Sequence, residues 1–141
     1  MRMIPTTEPH LLADVFPHLC NGPVPRGPAI FESSRSCIAP ESRGREELGR
    51  IWGELTCAML EYSMLREADA ITAVMETRMV KTMCDVDWAP TILGETVVLR
   101  GAPIVGISAP VDTRALANLR RQRQVPDPVL AIRFESAALA A

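Results

Sequence analysis

Aromatic residues are scarce in this chain, 4% of 141 positions, and Tyr62 is the single tyrosine. A core made without them must come from Leu, Ile, Val, Met and Ala, which bury less area per residue. Lysine is scarcer still: Lys81 stands alone among 15 basic residues, and the rest are arginine. Basic contacts therefore fall to planar, forked guanidinium groups, which suit interfaces. No apolar run reaches the ~18 to 20 residues that a membrane-crossing helix needs. A net charge of −2 excludes a strongly cationic wrapper of nucleic acid.

Histidine is limited to His10 and His18. Apart from Cys20, no cysteine or acid stands at ligand spacing from them, so no metal site is expected. Both lie in a proline-rich stretch and are expected at the surface. The remainder of the chain has no histidine, which leaves Ser–His or Cys–His catalysis without its base. Neither a P-loop nor a GxGxxG run occurs, so no cofactor is expected. The run Gly106-Ile107-Ser108-Ala109-Pro110 departs from a GxSxG nucleophile elbow at Pro110 and reads as a strand ending in a turn. Cys20, Cys37, Cys57 and Cys84 fit no CxxC spacing and read as four reduced thiols. Pro5, Glu8 and Pro9 interrupt the place where a signal peptide would carry its apolar segment, so the expected location is the cytoplasm.

Proline, by contrast, is abundant, with seven of the 12 falling in residues 1–42. Pro23, Pro25 and Pro28 hold their stretch extended, since each fixes φ and pushes its predecessor out of the helical region. Residues 1–42 therefore read as an extended arm. Only Leu11–Phe16 offers a turn or two of helix. Residues 43–141 read as one α+β body, helical over 43–86 and β-rich over 91–136.

Within that body, Leu48, Ile51, Trp52, Leu55, Ala58, Met59, Tyr62 and Leu65 recur at helical spacing. Glu46, Glu47, Arg50, Glu54 and Glu61 take the opposite face, with Glu46 placed to pair with Arg50. A second stripe runs through Ala68, Ile71, Val74, Met75, Met79 and Met83. One long helix or a helix pair with a break near Arg66 and a cap at Asp69 fits both stripes. Met75, Met79 and Met83 then share one helix face, the adaptable kind of surface used at interaction grooves. Thr96–Arg100 and Ile104–Ile107 are branched-rich runs joined by Gly101-Ala102-Pro103, a hairpin. Asp112 caps a helix from Thr113 to Arg123, ended by Pro126 and Pro128. Leu130, Ile132 and Phe134 alternate as a last strand.

Two groups of charges remain. Glu61, Glu67 and Asp69, and Asp85 with Asp87, read as solvated helix faces or ends. Arg114, Arg120, Arg121 and Arg123 form the one basic concentration, suited to a neighbouring subunit or to phosphate, although no aromatic stands near to stack a base.

The helical stripes exceed what three short strands can cover. The expectation is therefore a non-enzymatic assembly subunit of a larger homo- or hetero-oligomeric particle, virion- or shell-like. Its contacts would run through Pro23, Pro25 and Pro28 of the arm, through Trp52, Met59, Met75, Met79 and Met83, and through Arg120, Arg121 and Arg123. Deleting residues 1–28 should then leave a folded body. One alternative is a small cytosolic ligand-binding or enzymatic α+β domain. A second is a regulator that contacts nucleic acid through the 114–123 arginines.

Overall fold

A computed structural model describes residues 1–41 and 44–131. The architecture is α+β: a six-stranded mixed sheet with helices on both faces. The strands are β1 (Arg2–Pro5), β2 (Ile30–Ser34), β3 (Ala70–Glu76), β4 (Thr91–Ile92), β5 (Val97–Leu99) and β6 (Ala102–Pro110). The helices are α1 (Leu11–Asp14), α2 (Arg45–Leu65), α3 (Thr77–Cys84) and α4 (Thr113–Arg123), with a 3-10 turn at Pro17–Leu19.

The sheet runs β1-β2-β3-β6, and the far edge of β6 is shared by β4 and β5. Among the described residues only β2 and β3 are parallel, and α2 supplies the crossover that such a pair requires. β3 and β6 pair in register from Ala70↔Pro110 to Glu76↔Ile104. Strand alternation sends Ile71, Ala73, Val105, Ile107 and Ala109 to one face, where they join Cys57, Leu60, Leu116 and Leu119 of α2 and α4. On the opposite face Leu12, Leu19 and Ile104 form a smaller cluster with Phe16, Cys20, Val24, Val74, Leu93 and Val97.

Local signals placed α2, the β5–β6 hairpin and α4 correctly. Asp112 Oδ1 accepts from the Ala115 N–H at 2.6 Å, the expected cap. The hairpin turn sits at Arg100 (φ 49°) and Gly101 (φ 83°), both left-handed as a two-residue β-turn of this kind demands. Arg50 pairs forward with Glu54, not back with Glu46.

The second helical stripe is a correction. Residues 70–76 are strand β3, and α3 begins only at Thr77. Asp69 caps no helix; its N–H donates to Ala29 O at 2.7 Å, leading β3 in beside β2. Met75 therefore lies on a strand while Met79 and Met83 lie on α3, so the expected single methionine row does not exist. Because β3 is covered on both faces, Ile71, Thr72 and Ala73 are all buried, and the period-2 alternation that marks a half-exposed strand is missing.

Residues 1–34 are likewise no free arm. β1 and β2 belong to the sheet, and α1 with the 3-10 turn covers its second face. Thr6, fully buried, ties the proline stretch down: its hydroxyl accepts from Gly27 N–H at 3.0 Å and faces Gly27 O at 3.2 Å, while Arg26 Nε donates to Thr6 O. Of the expected last strand, Leu130 is not in a strand, and Ile132 and Phe134 lie outside the described residues. The Gly106–Pro110 run lies inside β6, with Ser108 opposite Thr72 and Thr91. Among the described residues no helix is long and apolar enough to cross a membrane.

Candidate functional site

Parallel strands end side by side, and in sheets that contain them ligands gather beyond their carboxyl ends. Here those ends belong to β2 and β3. β2 closes with Ser33, Ser34 and Arg35, the last exposed in a left-handed conformation (φ 53°). Arg2 on β1 donates from Nε to Ser34 Oγ at 3.2 Å. β3 closes with Met75 and Glu76, and the chain turns directly into α3, where Arg78 forms an exposed ion pair with Glu76 at 2.7 Å.

On the α2 face of this region the apolar cover is incomplete. Met3 of β1, Met75 of β3, and Val80 and Met83 of α3 pack against the main cluster yet stay half-buried. α3 has no buried residue at all. The first half of α2 repeats the pattern: Leu48, Ile51, Trp52 and Leu55 are half-buried, whereas Cys57 and Leu60 further along are sealed. Flexible thioethers beside strand ends make an adaptable apolar surface, suited to an aliphatic chain.

Behind this face lies a carboxylate that the sequence did not advertise. Glu32 on β2 is fully buried, and its two oxygens accept the Leu11 and Leu12 N–H groups at 2.9 and 2.7 Å. The first turn of α1 is thus capped from a neighbouring strand and not by its own N-cap residue, His10. His10, expected at the surface, is 3% exposed, and its Nδ1–H donates to Glu8 O at 2.9 Å. His18 is exposed.

A second buried acid, Glu61 on α2, binds across elements. It accepts from Arg120 Nη2 at 2.8 Å, from Val129 N–H at 3.0 Å and from Leu130 N–H at 2.9 Å. Burial alone would raise its carboxyl pKa, but these donors and the guanidinium charge outweigh that and hold it below the ordinary glutamate value. Burial and the Glu61 charge push the Cys57 thiol up. Burial also pushes the Cys20 thiol up.

The sequence-selected residues are therefore scattered. Met59 is core and Trp52 half-buried on α2. Met75 and Met83 rim the strand-end surface, with Met79 half-buried on α3 beside them. Pro23, Pro25 and Pro28 line the loop before β2. Arg120 is committed to Glu61, Arg121 donates to Asn118 Oδ1 at 2.8 Å at the surface, and the stem of Arg123 packs at Gly53, so one of these arginines is ion-paired within the chain.

Comparison with known proteins gives one consistent result. Residues 1–119 match the autoinducer synthase family. An acyl-homoserine-lactone synthase of Pseudomonas aeruginosa is 30% identical over 121 residues, 85% of this chain and 58% of that protein. The structure of a CoA-dependent acyl-homoserine lactone synthase, MesI, superposes with a TM-score of 0.83 at 29% identity, over 92% of this chain and 65% of that one. The structure of another such enzyme, BjaI, with SAM and isopentyl-CoA, gives 0.81 at 25% identity over 94% and 63%. The chain thus spans somewhat more than half the length of the relatives it matches.

These likenesses are all to enzymes, and they overturn the expectation of a structural, capsid- or virion-like assembly subunit. The apolar surplus that suggested a shell contact was in part counted on a helix that is in fact β3, whose Ile71, Thr72 and Ala73 are buried in the chain's own interior.

Proposed function

Because the chain belongs to the autoinducer synthase family, we propose that it acts as the acyl-accepting portion of an acyl-homoserine-lactone synthase in the cytoplasm. The observation that carries this reading is the incompletely covered strip of Met3, Met75, Val80 and Met83 at the carboxyl ends of β2 and β3. Such a strip takes the aliphatic tail of an acyl thioester, while its polar end lies toward Ser33, Ser34 and Arg35.

The reaction balances simply. The amine of S-adenosylmethionine attacks the thioester carbonyl, an amide C–N bond forms, and the C–S bond breaks with release of the thiol. The carboxylate then attacks the carbon bearing the sulfonium, closing the lactone and expelling the neutral thioether. Neither step needs a metal or an oxidant. This chain's contribution in the first step is to bind and align the acyl group, which converts an encounter into a held geometry. Glu32 supports the strand that ends in Ser33, Ser34 and Arg35 by anchoring α1 to it.

The test is to incubate the purified chain with S-adenosylmethionine and a series of acyl-CoA thioesters, and to look for acyl-homoserine lactone by mass spectrometry. Methyl resonances of Met75 and Met83 are followed in parallel. Lactone formation, with shifts at those methyls, is the expected result. Thioesters left intact at every length, with no shift at either methyl, overturn the reading.

A further inference from the structure

On the far part of α2 from the methionine strip, a second cleft opens between α2, α4 and the segment that follows α4. It holds about 340 Å³ and is lined by Met64, Leu65, Leu116, Pro128 and Leu130, with Glu61 and Arg120 as its only charged groups among the described residues. That volume falls at the small end of the range of ligand sites, about 300–1,000 Å³.

Its walls are fixed in advance. The Val129 and Leu130 N–H groups are tied to Glu61, so the segment carrying Pro128 and Leu130 stands against α2 as a strap. α4 is held at close range, because a Cβ on Gly53 would lie 2.9 Å from Arg123 Cβ. At the rim Leu65 is 58% exposed, a large apolar side chain with nothing over it among the described residues. Arg120 spends Nη2 on Glu61, yet its Nε–H is buried with no acceptor among the described residues. A buried donor left unmade is costly, and Arg120 is part of the cleft lining, beside any oxygen that enters it.

We propose that this cleft is a binding site for an uncharged amphiphile, a medium-length aliphatic chain ending in a carbonyl group. The tail lies on Met64, Leu65, Leu116 and Leu130, and the carbonyl oxygen accepts from Arg120. The charge on Glu61 sets the selectivity. It already neutralises Arg120, so an anionic headgroup meets a buried carboxylate with no cation left to balance it, while a neutral carbonyl meets only the unused N–H. The site is distinct from the strip assigned to the acyl thioester and does not depend on that assignment.

The experiment is a titration of the chain, labelled at methionine methyls, with octanamide and separately with octanoate. Octanamide should saturate a shift at Met64 and leave Met75 and Met83 unmoved. Octanoate should bind at least about tenfold more weakly, the step expected for one uncompensated charge contact. Leu65→Asp, at an exposed position that does not threaten folding, should abolish the Met64 shift, and Arg120→Lys should weaken octanamide while keeping the ion pair. Equal binding of the two ligands, shifts confined to Met75 and Met83, the absence of any saturable shift at Met64, or binding seen only after removal of residues 132–141 would each overturn the proposal.

Discussion

Glu61 lies among residues that a sequence reading assigns to a solvated helix face, yet it is one of the most constrained side chains in the molecule. Its partner Arg120 is 59 positions away, and no local pattern connects them. The same holds for Glu32, whose partners are backbone N–H groups that carry no sequence signature. Because the folded carboxyl of Glu61 sits below its unfolded value, it contributes stability at and above the ordinary glutamate range. That stability is lost as pH falls through the lowered, folded value. Glu61→Gln should cost about 1.5–3 kcal/mol at neutral pH, the usual range for hydrogen bonds to a charged group. In urea melts taken from pH 7 downward, the gap between wild type and variant should close in acid. A gap independent of pH would show that the carboxylate charge is not what matters.

Elements were legible where their signals are local. α2 declares itself by period, α4 by its Asp112 cap, and the hairpin by the Gly101 turn. β3 was not legible, because burial on both faces removes the alternation by which a strand is recognised, and its methionine then falls by chance at helical spacing from those of α3. The loop between β4 and β5 was also opaque, since its role is set by what it touches. A Cβ on Gly94 would sit 2.5 Å from Leu19 O and 2.9 Å from Leu19 C, both backbone atoms that cannot swing aside. This close approach lets Asn21 N–H reach Leu93 O at 2.8 Å and docks the 3-10 turn onto the sheet. Gly94→Ala should therefore destabilise by about 1–3 kcal/mol. Gly22→Ala, with nothing within 4 Å of the added atom, is the matched control in the same denaturation series.

For the molecule as a whole, the decisive revision concerns the first third. A proline-dense stretch with few apolar residues looks like a tail, but Leu12 and Leu19 are completely buried in it and close the second face of the sheet. Deleting residues 1–28 should therefore not leave a folded body. It removes β1 and α1, strips Ile104 and Val74 of their cover, and leaves the Glu32 carboxyl without its two donors. The expected outcome is a loss of cooperative thermal unfolding by circular dichroism; a sharp transition in the truncated chain would restore the arm reading. No composition argument reaches the family, because its evidence lies in the order of particular residues along the chain.

The single parallel pair has a consequence in time. β3, the parallel partner of β2, follows only after the whole of α2, so this pairing closes a long loop. By themselves β1 and β2 make only a two-stranded ribbon, marginal in water, and a four-residue α1 is far below the length at which a helix persists alone. Closing the loop between β2 and β3 becomes the late, slow event that the remaining contacts reward all at once.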